Sequence, residues 1–224
     1  MTSHSLASQP SQLSSHTISL REYIKLKRIG LFGIIQYVII SVSTLYFFSE
    51  FSLNDSWLSE LGNKYLENGE INTTPRYLWS ITTGIFSICL IIYFYKIPKT
   101  NKLTENIGYL IVFGTPFLAL SGVYPRDTHR FVHDKSIAIF YICCSLAVLI
   151  LSIRMINTHE KTAIGYFGLI TALITAFYMV AYFLPVSKSP IRKTAQKILS
   201  YAYQAWFAGY IYYDPLNKPK IVDE

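Results

Sequence analysis

The chain has 224 residues, of which 51% are hydrophobic and only 15% charged, with a mean hydropathy of +0.32. A soluble domain carries about 25% charged residues, so this chain lacks the charge to cover a water-facing surface; a disordered chain, a coiled coil and an ordinary soluble enzyme are excluded. The formal net charge is +7, but the 20 Lys and Arg sit almost entirely between long apolar runs. Such charge is retained at membrane faces and drawn to anionic lipid, so no nucleic-acid partner is expected.

In chain order, residues 1–18 hold no Lys, Arg, Asp or Glu and no apolar core of the kind a signal peptide needs. They are expected to be a disordered arm. Residues 19–28 (SLREYIKLKR) form a basic interfacial segment leading into a transmembrane domain over 29–215, with a short tail at 216–224. Six apolar runs fall at 29–51, 77–95, 107–124, 137–153 (extended at its start through Thr128), 163–184 and 195–213. Each matches the roughly 17–25 residues a spanning helix needs. The sixth is the most polar, interrupted by Gln196, Lys197 and Gln204. The fold class is therefore all-α: a polytopic membrane protein with six transmembrane helices in one bundle.

Cys89, Cys143 and Cys144 all lie within apolar runs without CxxC spacing, and read as small buried hydrophobes. Glycines along the runs mark close helix contacts, and Pro116 marks a kink. With both termini cytosolic, the Lys and Arg divide 11 inside to 9 outside. The basic cluster before the first helix favours that orientation, in the cell membrane, although the loop between the fifth and sixth runs violates the rule.

The polar chemistry gathers in the outer loops. Residues 52–76 mix Trp57, Leu58 and Leu61 with acidic residues, which predicts a short helix lying on the bilayer and ending near Gly62. Asn72-Thr73-Thr74 is a glycosylation sequon. The second outer loop, YPRDTHRFVHDK at 124–135, carries His129 and His133 at i, i+4. If Thr128 caps the fourth helix, both imidazoles share a face and could chelate a divalent metal with Asp127, or act as acid and base. HxxxH alone lacks the Glu and third ligand of stronger motifs, so no cofactor is expected, with zinc on Asp127, His129 and His133 as the alternative. Ser59, Glu60, Gln196 and Lys197 lie on the same outer side.

Several short elements occur in an order that resembles a prokaryotic family of six-helix membrane proteins of unknown function. They are Ser59-Glu60-Leu61-Gly62 after the first helix, Gly122-Val123-Tyr124-Pro125 ending the third, His133 opening the fourth, and Gln196-Lys197 with Trp206 on the sixth. That family is distantly similar to the Frag/DRAM/Sfk group, whose members are linked to lipid remodelling and membrane lipid organisation. Lys197 stands where the family has Arg, and Tyr77-Leu78-Trp79 stands where a Phe-Asn element is expected. The resemblance implies an architecture more than a mechanism.

Together these readings predict one outer polar site built from Ser59, Glu60, Arg126, Asp127, His129, His133, Gln196 and Lys197, holding a lipid headgroup or another amphiphile. Membrane lipid is the expected partner, with self-association left open. The rival readings are a metal-dependent intramembrane lipid hydrolase and a small transporter. The transporter is the least favoured, because runs two to five carry no ionisable residue between their ends.

Overall fold

A computed structural model describes residues 18–48, 56–66, 68–99, 101–183, 190–214 and 221–222. Nearly all of the arm, most of the tail and residues 184–189 of the loop between the fifth and sixth apolar runs lie outside the described residues. Six helices account for most of the rest: α1 (Leu20–Phe47), α2 (Thr73–Lys96), α3 (Lys102–Val123), α4 (Arg130–Asn157), α5 (Thr162–Phe183) and α6 (Pro190–Tyr213). A five-residue 3-10 turn at Leu58–Gly62, here called the plug, follows α1. A short parallel pair joins β1 (Ile18–Ser19) to β2 (Ile221–Val222).

Local chemistry starts these helices. The Ser19 hydroxyl accepts from the Glu22 amide (3.2 Å) at the head of α1, and Asn101 Oδ1 accepts from the Thr104 amide (3.1 Å) at the head of α3. The basic stretch 19–28 is continuous with the first apolar run: capped at Ser19, it forms the first turns of α1. α3 runs through Pro116 without ending. The proline removes one backbone donor, and the freed Val112 carbonyl meets the Thr115 hydroxyl at 3.5 Å.

Consecutive helices touch one another, and α6 returns to α1, so the six close into a ring around one core. Five of them, α1 to α5, are long and apolar enough to cross a membrane. α6 is not among them, yet it runs antiparallel to α1 over most of its length. Lys27 Nζ donates to the Tyr212 carbonyl at 2.6 Å at one end, Tyr37 and Ser200 share a hydrogen bond of 3.1 Å mid-way, and Ser41 and Tyr201 share one of 3.2 Å further on. Its polar residues Gln196, Lys197, Ser200 and Gln204 are buried against the other helices.

Hydroxyls and amides tie the other seams. Gln36 and Thr82 exchange two bonds between α1 and α2, from Nε2 to the Thr82 carbonyl (3.1 Å) and from the Thr82 hydroxyl to Oε1 (2.8 Å). Ser87 donates to the Thr115 carbonyl (2.8 Å) across α2 and α3. Where hydrocarbon offers no hydrophobic gain between helices, such bonds and close backbone approach hold the bundle together. A Cβ on Gly33 would lie 2.5 Å from Cys89 Cβ, and one on Gly114 would lie 2.6 Å from Cys143 Cβ, whereas Gly84 faces open space. Gly33→Ala and Gly114→Ala should each lower the melting temperature of the purified protein, by an overpacking cost of about 1–3 kcal/mol. Gly84→Ala should leave it unchanged or slightly raised.

Candidate functional site

The plug sits within the connection between α1 and α2, and it does not lie on a bilayer surface. Leu61 is 0% exposed, and Leu58, Ser59 and Gly62 are also buried, because the plug is pushed between the ends of α2, α3 and α6. Its apolar residues face the core rather than lipid, and Gly62 has no side chain because the Trp79 indole lies against it.

Side chains of five residues fix the plug and the strand-like turn behind it. Gln196 Oε1 on α6 accepts from the Leu58 amide at 3.0 Å. Glu60 Oε2 turns back to accept from the Trp57 amide at 2.9 Å. Asp127 Oδ2 accepts from the Lys64 and Tyr65 amides, both at 2.9 Å, so this carboxylate is committed to backbone. The Arg126 guanidinium lies over the Trp57 ring, 5.2 Å from its centroid, while Arg126 Nε donates to Asp134 Oδ1 at 3.2 Å. Asn72, 2% exposed, donates its side-chain amide to the carbonyls of Leu61 and Asn63. The sequon asparagine is thus an internal strut whose amide nitrogen is engaged.

The two histidines take different surroundings. Thr128 does not cap α4: His129 occupies the cap position, with φ −132° and ψ 46°, and the helix begins at Arg130. Two imidazoles at i, i+4 share a face only when both lie within the helix. His129 is exposed, bonded to the Thr128 hydroxyl at 2.9 Å and edge-on to the Tyr124 ring. His133 is 2% exposed, and its Nδ1 lies 3.0 Å from both the Ser121 and Tyr124 carbonyls. A carbonyl can only accept, so Nδ1 carries the proton and serves as a pin on the end of α3. Among the described residues no group of three or more His, Cys, Asp or Glu gathers in a way that could hold a metal ion. Asp127, His129 and His133 therefore do not form one ligand set here.

Beneath the plug lies a small chamber of about 20 Å³, room for about one water. Ser59 and Gln196 both line it, as do Tyr37, Tyr141, Ser200, Tyr203 and Gln204. The rest of its wall is apolar, from Leu58, Trp79, Leu118, Ile137 and Phe140, and Gln204 Oε1 is buried without a hydrogen-bond partner. Lys197 is buried one residue beyond Gln196 at the head of α6. The predicted site thus divides into a chamber group (Ser59 and Gln196, with Glu60 and Lys197 nearby) and a clamp group (Arg126, Asp127 and His133). His129 stands outside both. Sequence reasoning misses Tyr37, Tyr141, Ser200, Tyr203 and Gln204. The detectable signal is the buried face of α6, where residues 196, 200, 203 and 204 recur at helical spacing.

A second polar region, with no counterpart in the sequence-based expectations, sits at the opposite end of the ring. Tyr23 donates its hydroxyl to Asp214 Oδ2 at 2.7 Å, and Asp214 is 3% exposed. Arg154 Nη1 donates to Asn101 Oδ1 at 3.1 Å. Lys99, on the α2–α3 loop, has a buried ammonium with no hydrogen-bond partner. Burial pushes its pKa down to about 7, against the opposing pull of the Asp214 and Glu105 carboxylates.

An all-helical ring with five helices able to span a bilayer, sealed at one end by a buried plug, is a multi-pass integral membrane protein. More narrowly, residues 31–211 match the family described as "Protein of unknown function (DUF998)", and the chain belongs to that family. No curated protein and no solved structure matches the chain.

His133→Ala should destabilise the protein by about 1–3 kcal/mol, since two buried carbonyls lose their donor, while His129→Ala should cost under about 0.5 kcal/mol; thermal melts in detergent compare the two. The folded pKa of Lys99 lies below its unfolded value, so the unfolded chain binds the extra proton between about pH 7 and the ordinary lysine range. Stability should therefore rise with pH across that window. In Lys99→Met this rise should be smaller, as the same melts run from about pH 7 to about pH 10 would show.

Proposed function

We propose that this DUF998 member crosses the membrane six times, with both termini cytosolic, and that its plug end receives a lipid headgroup or another amphiphile from the outer leaflet. The six-span reading rests on α6. Its 24 residues would measure about 36 Å, enough for a hydrocarbon core of about 30 Å. Its low hydropathy comes from residues turned into the ring, where lipid does not meet them. The β1–β2 pair and the Tyr23–Asp214 bond bring the start of α1 and the end of α6 to one side, as an even number of crossings requires.

The observation that carries the binding role is the chamber: a small, mostly apolar void into which a few hydroxyls and amides and an unsatisfied Gln204 acceptor are set, beneath the five-residue plug. A buried polar group without a partner is costly, and a hydroxyl donor from a ligand would relieve it. The chamber as it stands holds no headgroup, so entry requires the plug to lift from Gln196. The polar groups in the chamber wall are hydroxyls and amides with no charged side chain among them, so the part of the headgroup they would grip is uncharged and hydroxyl-bearing, such as glycerol or a sugar. The motif order resembles that of a family distantly similar to the Frag/DRAM/Sfk group, whose members are linked to lipid remodelling, and this supports a lipid as the ligand.

The test is lipid retention. Protein purified in mild detergent should carry lipid that mass spectrometry identifies and counts. Gln204→Leu, close in volume and without the acceptor, should keep the fold and reduce that lipid by about fivefold, the effect of roughly 1 kcal/mol from one lost hydrogen bond. Equal retention in the two proteins, with equal melting temperatures, would defeat the reading.

A further inference from the structure

A shallow groove runs along the outer face of the start of α1, at the opposite end of the molecule from the plug. The described residues lining it include three cations, Arg21, Lys25 and Arg28, and the apolar side chains of Ile24 and Phe32. No acidic residue is among them. The three cations are exposed, and within the described residues none makes an ion pair or hydrogen bond, in contrast to neighbouring Lys27, which donates to the Tyr212 carbonyl.

The spacing orders this face. Residues 21, 25 and 28 lie at i, i+4 and i+7, one stripe of a helix, and the same stripe continues through Phe32, Ile35 and Ile39. Ile35 and Ile39 are 55% and 58% exposed. One continuous strip thus carries positive charge over its first two turns and bare hydrocarbon below. α1 has 28 residues, about 42 Å, roughly 12 Å more than a bilayer core of about 30 Å. That excess corresponds to about eight residues, which places 20–27 at headgroup depth with Arg28 at the boundary, from where its guanidinium can snorkel outward.

We infer that this groove is a seat for an anionic phospholipid of the leaflet next to the chain's termini, its phosphate held by Arg21, Lys25 and Arg28 and one acyl chain lying along Phe32, Ile35 and Ile39. Charge complementarity selects the class. Three cations with no ion partner among the described residues match a phosphodiester that carries net charge, and a zwitterionic headgroup brings its own ammonium to compete with them. The order of the strip, charge first and hydrocarbon after, is the order of a lipid standing in its leaflet. An acidic peptide would have no use for the lower half. The assignment does not rest on the chamber under the plug, which lies at the other end and has its own variant.

The full chain in detergent is titrated with phosphatidylglycerol or phosphatidylcholine, and bound lipids are counted by native mass spectrometry. The wild type should bind phosphatidylglycerol more tightly. The triple variant R21Q/K25Q/R28Q should lose that affinity by at least about tenfold while phosphatidylcholine binding stays unchanged. Lys96→Gln with Lys102→Gln, which removes two cations outside the groove, should leave the preference intact. If the triple variant proves unstable, Lys25→Gln and Arg28→Gln alone should each lose part of it. Equal binding of the two lipids by the wild type, an unchanged triple variant, or an equal loss in the control pair would each overturn the proposal. So would self-association that the triple variant abolishes without altering lipid preference, which would give the groove to a second copy.

Discussion

The architecture depends on where α6 can put its polar face. A helix that carries Gln196, Lys197, Ser200, Gln204 and, just past its end, Asp214 cannot turn those groups to hydrocarbon, where each unsatisfied group costs several kcal/mol. The other five helices supply the solution. They leave a seam between α1 and α5 into which α6 fits with its polar stripe inward, and the ring closes only because that stripe finds partners: Tyr37 for Ser200, the Leu58 amide for Gln196, Ser145 for Tyr203.

The same constraint makes a site. Once the α6 stripe is inward, the end of the ring near residue 196 is a polar mouth in an apolar body, and the plug fills it. The plug is short and irregular, the kind of backbone tolerated at membrane depth only when protein surrounds it. Gln196 and the Asp127 carboxylate satisfy amides that a five-residue turn and the chain behind it cannot bond internally. The residues singled out as a reactive outer cluster therefore act largely as fasteners. The part with chemistry to spare is the chamber they close.

How far the sequence discloses this differs by element. The spans of α2 to α5 are legible within a few residues, since unbroken apolar runs bounded by Lys96, Pro125 or Asn157 leave little choice. The start of α1 is not, because a basic stretch reads as interfacial whether or not a helix continues through it, and the Ser19 cap decides the matter. The His129–His133 pair shows the limit of spacing arguments: a one-residue shift in the helix start changes which side chains share a face. The plug is visible as Leu58 and Leu61 at helical spacing, but periodicity cannot tell lipid from core as the partner of an apolar face. Buried Lys99 is invisible for a related reason, since a loop lysine gives no sign of folding back over Gly108.

The contact that fastens the two ends of the molecule also sets an order in time. Tyr23 and Asp214 are 191 residues apart, and at a ribosomal pace of about 5–20 residues per second the first waits roughly 10–40 s for the second to be made. Throughout that interval the face of α1 bearing Lys27, Tyr37 and Ser41 has no α6 to cover it. Nascent intermediates of every length short of the last helix are therefore open on one flank, and that flank is where quality control during biogenesis would have something to grip.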